Sequence, residues 1–263
     1  MTMVIWKHEL KTGLLSLIIW SCAISFLLGV CVLIYPEMAG QMGQISETFS
    51  QMGGFTQAFG MDKLNFGEFT GFFGVECGNV LGLGGALFAA LTGISVLSKE
   101  EKDHTAEFLL AHPVGRLTIV AQKLCAVYSQ IFILNVVCVC ITAICIAVIG
   151  ESPDVKTMAL LFLAYFLMQL EVASICFGLS AFLRKGGMGL GLGLAVVCYF
   201  LNIIANLAEN VRFLKYITPF GYTEGADIIA NGMIEGKYAA VGMLFVIVFV
   251  CMAFYRYAGK DIC

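Results

Sequence analysis

Six stretches of this chain are nearly free of charge, and each is long enough to cross a membrane as a helix. They cover residues 12–36, 77–98, 124–150, 157–183, 186–208 and 238–255, and the one charge inside any of them is Glu171. About 20 apolar residues suffice to traverse a hydrocarbon core about 30 Å thick. A chain built this way folds as a bundle of helices in lipid. Composition agrees: 60% of its 263 residues are hydrophobic and 13% are charged. Ordinary soluble domains carry about 25% charge, so in water this chain would expose large apolar patches. The first run is too long for the roughly 7–15-residue core of a signal peptide and no A-x-A site follows it, so it is expected to be retained. A net charge of −3 leaves no basic stripe for nucleic acid.

The eleven cysteines fit the same class. Most lie inside the apolar runs, none form a CxxC pair, and Cys138 and Cys140 are two apart, which on a helix points them to different faces. They read as small hydrophobes packed between helices rather than as a disulfide framework or a zinc site.

With the N-terminus inside, ten Lys and Arg fall on inner segments and five on outer ones, out of fifteen in all. That bias puts both termini in the cytoplasm of a multi-pass protein of the plasma (cytoplasmic) membrane. Residues 1–11, with Trp6 among apolar residues and Lys7 and Lys11, predict a short interfacial helix. Met38, Met42, Ile45, Phe49 and Met52 share one helical face in the first outer segment. The 209–237 stretch is too long for a turn and only partly apolar, and it predicts short helices or a re-entrant piece shielded by protein. Gly187 with Gly191, Gly189 with Gly193, and Gly78, Gly82 and Ala86 give small-residue faces for close helix approach.

The cytoplasmic loop 98–123 carries the clearest pattern. Glu100, Glu101 and Asp103 precede Thr105 and Glu107, which suits the positive end of a helix dipole. Phe108, Leu109 and Leu110 follow, Pro113 stops the helix, and a second helix runs from about residue 117 into span three. Three large apolar side chains in a cytosolic loop predict a partner surface.

This loop resembles the "E…T.E.LL..P..R……K" segment of type 2 ABC (ABC-2) transporter permeases through Glu100, Thr105, Glu107, Leu109, Leu110, Pro113, Arg116 and Lys123. Lys7-His8-Glu9-Leu10 is similar to that family's elbow helix, Thr218-Pro219-Phe220 with Tyr222 to its "SPF.Y", and Tyr255 to Ile262 to its C-terminal "Y..+DI". His104 and Gly115 depart from the usual Gly and Ser, both at turns. The resemblance implies an all-α membrane protein, a single permease domain over 1–263 with six transmembrane helices. It implies an N-terminal interfacial elbow helix, a cytoplasmic coupling helix, and short extracellular helices between spans five and six. The coupling helix would use Glu100, Thr105, Glu107, Phe108, Leu109, Leu110, Pro113 and Arg116 to dock on a separate cytoplasmic ABC ATPase. A second permease subunit, identical or related, would complete the path, and transport would run mostly outward. ATP and Mg would sit on the partner ATPase. The chain itself shows no GxxxxGK[ST], HExxH or GxSxG, so no cofactor and no catalysis are expected on it.

Two intramembrane features suggest a substrate path. Glu171 costs about 3 kcal/mol to insert, against about 0.3–0.6 returned by each large aliphatic residue, so it should face the bundle with Ser174. Tyr199, Asn202 and Asn206, at i, i+3 and i+7, form one polar stripe toward the outer end of span five. Helix-to-helix hydrogen bonding is the simpler account of both. An ion-gradient-driven secondary transporter or channel using Glu171 is the alternative function.

Overall fold

In lipid a helix satisfies its backbone internally, so apolar runs of this length become helices and not strands. The structure, a computed structural model, describes residues 3–40, 56, 64, 67–102, 114–183 and 187–259. Six of its helices are long and apolar enough to span a membrane: α1 (Val4–Ala39), α2 (Phe69–Ser95), α4 (Arg116–Ile149), α5 (Val155–Ser180), α6 (Met188–Leu207) and α8 (Gly236–Ala258). Two short helices, α3 (Lys99–Lys102) and α7 (Gly225–Asn231), lie between them. No strand occurs among the described residues.

The spans agree with the charge-free runs, with instructive shifts. Span two begins at Phe69 rather than residue 77, because the apolar stretch continues on the far side of Glu76. Span one runs through Pro36 to Ala39. Residues 4–11 are the first turns of α1 itself, with no break before span one. Its opening amides have no cap from Met3. Instead, Gln122 Oε1 on α4 accepts from the N–H of Ile5 at 3.1 Å and of Trp6 at 3.2 Å. The Trp6 indole donates to Ser129 Oγ at 3.1 Å. A neighbouring helix thus satisfies donors that a helix start leaves orphaned. Of the Met38–Met52 face only Met38 is described, and Thr105, Glu107, Phe108, Leu109, Leu110 and Pro113 of the expected coupling helix lie outside the described residues.

Helix α5 is the axis of the bundle. Of its most apolar stretch 61% is buried within the chain, against 17% for α6 and α8. Close approach on both sides explains this. Along α2, a Cβ on Gly93 would stand 2.5 Å from the Ala173 carbonyl oxygen of α5, and one on Gly82 would stand 3.2 Å from the Tyr165 ring. Along α8, Phe249 lies 2.8 Å from the Cβ position of Gly178. With no hydrophobic drive between helices in lipid, such seams hold by close packing and hydrogen bonds. Asn135 on α4 supplies one bond, donating to Gln169 Oε1 on α5 at 2.6 Å, worth about 0.6 kcal/mol on average for such pairs.

The glycine pairs of α6 divide. Gly187 and Gly191 pack against Ile94 of α2, while nothing stands within 4 Å of a Cβ on Gly189 or Gly193. In α2, the glycine-rich stretch Gly78–Leu83 widens to a π turn beside Tyr165. At the end away from the chain termini, Tyr35, Phe69, Phe72 and Phe73 stack into one aromatic cluster that ties α1 to α2. The Phe73–Phe162 contact extends it to α5. Cys138 is buried and Cys140 exposed, as their spacing predicts.

Candidate functional site

Between α6 and α8 the chain folds into two tight 3₁₀ turns, Glu209–Tyr216 and Pro219–Tyr222, followed by α7. This strap covers the end of the bundle opposite the termini, and each of its anchors is a specific contact. Thr218 Oγ1 donates to the Cys198 carbonyl of α6 at 2.8 Å and accepts from the Phe220 amide at 3.3 Å. Phe220 meets Tyr199 edge-on at 5.5 Å, and Tyr216 meets Tyr238 at 4.6 Å. The backbones of Gly225 and α2 nearly touch: a Cβ on Gly225 would lie 2.7 Å from the Gly74 carbonyl oxygen.

Deepest of these anchors is the bond from the Tyr222 hydroxyl to Glu171 Oε2, 2.9 Å long. Glu171 is only 2% exposed, and Gly242 of α8 presents its bare backbone to the carboxyl group. Burial and the adjacent carboxylate hold the Tyr222 hydroxyl well above its ordinary pKa, so it remains a donor. Ser174, expected beside Glu171, is engaged elsewhere. It shares a 2.7 Å bond with Tyr128 on α4 and donates to the Leu170 carbonyl. The structure therefore does not bring Ser174 to the strap.

The polar stripe of α6 does come together, in a cavity of about 50 Å³ between α2, α5, α6 and the strap. Tyr199, Asn202 and Asn206 line it with Asn79 from the π turn, Tyr165 from α5 and Glu224 from the strap. Tyr199 donates to Asn79 Oδ1 at 3.2 Å, and Asn206 Nδ2 donates to Glu224 Oε2 at 2.8 Å. Asn202 Oδ1 is buried with no hydrogen-bond partner among the described residues. Glu171 lies outside this lining, though its partner Tyr222 is two residues from Glu224. Reasoning from the sequence missed Asn79 and Glu224. The available signal was an acid in the partly apolar 217–232 stretch, with nothing in the pattern to say where it would fold.

At the opposite end a second polar group is built around Lys123. Its side chain is fully buried on α4, and its ammonium donates to Glu9 Oε1 at 2.8 Å, to the Val96 carbonyl at 2.7 Å and to Glu100 Oε1. Lys99 bonds the other oxygen of Glu9 at 2.5 Å. Two acids and two lysines close a neutral set, the condition under which buried charges are tolerated. Arg116 Nη1 donates to the Ala258 carbonyl at 3.1 Å, joining the start of α4 to the end of α8. Glu100 and Arg116 thus stand at the two roots of the 103–113 segment. Glu100 and Lys123 belong to the loop motif, but the pairing of Lys123 with Glu9 is not legible in the sequence.

Six helices able to span a membrane, with buried polar pairs toward both ends and a folded strap between the last two, make this a multi-pass membrane protein in class. The chain belongs to the ABC-2 family transporter proteins, whose family model matches residues 3–262. No curated protein matches it.

Proposed function

We propose that the chain is the permease subunit of an ATP-driven exporter, powered by a separate ATPase that docks on the loop 98–123. The observation that supports this most is the ion set of Glu9, Lys99, Glu100 and Lys123 at the root of that loop. A force applied to the loop reaches α1, α2 and α4 together through charge-assisted bonds, rather than dissipating in a loose connection. In this reading both termini and the loop are cytoplasmic. ATP and Mg bind the partner, and a second permease subunit packs on the face of α6 where Gly189 and Gly193 stand open. Substrate passes through the polar interior beneath the strap, past Glu171 and the Tyr199–Asn202–Asn206 stripe.

The test is a pull-down and ATPase assay of the parent and Phe108→Ala in nanodiscs. Truncating an aromatic anchor at an interface costs about 2 kcal/mol, so ATPase binding should weaken roughly thirtyfold. Full binding by Phe108→Ala, or no ATPase partner for the parent, removes the coupling claim.

A further inference from the structure

Among the polar side chains that line the cavity under the strap, two donors are already committed. The Tyr199 hydroxyl is committed to Asn79 Oδ1 and the Asn206 amide to Glu224. That leaves the Glu224 carboxylate, the second lone pair of Asn79 Oδ1, and Asn202 Oδ1, which is buried with no partner among the described residues. None of the described lining residues is Lys, Arg or His. Nearby Lys215 is held by Asp227 at 3.4 Å. The start of α7 also borders the cavity, but α7 has seven residues and Glu224 stands at its N-terminal cap, which offsets the small positive end.

We propose that this cavity binds a small monovalent cation, with Glu224 as counter-charge and Asn202 and Asn79 as neutral oxygen ligands. The shared chemistry covers an alkali ion and the protonated primary amine of a larger substrate. Hard cations take oxygen ligands, and carbonyl-type oxygens replace the hydration shell of a monovalent ion. One carboxylate balances one positive charge, whereas a divalent ion would leave a net charge in a poorly solvated place. The volume agrees. About 50 Å³ exceeds the roughly 10–15 Å³ that one water-sized occupant needs, and it admits an ion with water or an ammonium group, but not a whole drug-sized molecule. The proposal deepens the transport reading and rests on it for the identity of the cargo.

The test is thermal unfolding of the full chain in nanodiscs, followed by the fluorescence of Trp6 and Trp20. Lithium, sodium, potassium and methylammonium chlorides are titrated separately, with choline chloride holding ionic strength constant. A saturable rise in Tm with an alkali ion identifies an ion site, and one with methylammonium identifies an amine site. Glu224→Gln keeps the shape and the Asn206 contact but removes the charge, and should weaken binding at least tenfold. Asn202→Ala deletes an acceptor that holds nothing else together and should also weaken it, which keeps the test alive if Glu224→Gln misfolds. Glu151→Gln, an exposed acid beyond the cavity, should bind like the parent. No saturable shift with any of the four cations, or equal binding by parent, Glu224→Gln and Asn202→Ala, overturns the proposal. ATPase pull-down reads the transport proposal separately, so either can fail alone.

Discussion

Replacing Lys123 by Met should be the most damaging single change in the described chain. Met matches the length of the stem and packs in the same buried slot, so the loss is one of charge and hydrogen bonding. Three bonds end at the Lys123 ammonium: to Glu9, to Glu100 and to the Val96 carbonyl. Without it, Glu9, itself 5% exposed, retains Lys99 as its partner in the set, and Glu100 loses its ion-pair partner in the set. Breaking a buried pair by removing one partner costs about 3–5 kcal/mol, because the remaining charge stays desolvated. The assay is reversible unfolding in mixed micelles of increasing SDS content, comparing the parent, Lys123→Met, Glu9→Gln and the double variant. Removing one acid and one base together restores neutrality, so the double variant should be more stable than the sum of the singles predicts by about 1 kcal/mol or more. A Lys123→Met protein as stable as the parent, or additive losses in the double variant, would refute the argument that this is a closed neutral set.

Three further outcomes are expected. Single cysteines in a cysteine-free background should label with an impermeant thiol reagent on intact cells at residue 45 and not at residue 105; the reverse pattern overturns the proposed orientation. Tyr222→Phe should cost about 1–3 kcal/mol in the same unfolding assay, since it strips a buried carboxyl of its donor, while Glu171→Gln should cost less because an amide oxygen still accepts from Tyr222. Gly93→Ala should cost about 1–3 kcal/mol through overpacking on the Ala173 carbonyl, and parental stability would show that the α2–α5 seam is looser than its geometry.

The number of spans was legible because lipid imposes one rule on every backbone group, and the charge-free runs state where that rule is met. Span two shows the limit of that method: Glu76 interrupts the run, yet one acid near a helix end does not stop a helix, and the apolar Phe69–Val75 continues it. Periodicity also brought Tyr199, Asn202 and Asn206 to a single face, and the structure puts all three in one cavity. It put Ser174 inside the bundle with Glu171, where both are buried, but it could not name Tyr128 as the partner of the serine hydroxyl, because a serine on α5 has several helices within reach. Nor could spacing reveal contacts between residues far apart in the chain, such as Glu9 with Lys123 or Glu171 with Tyr222. The same physics underlies both pairings. Ionisable side chains within an apolar chain are too costly to leave solitary, so each buried one identifies where a second segment must come to meet it. Lys123 requires Glu9 of α1 and Glu100 of α3 at one end, and Glu171 requires the strap at the other. Among the described residues, Lys123 and Glu171 are therefore also where a connection between spans is fastened to the helices of the bundle.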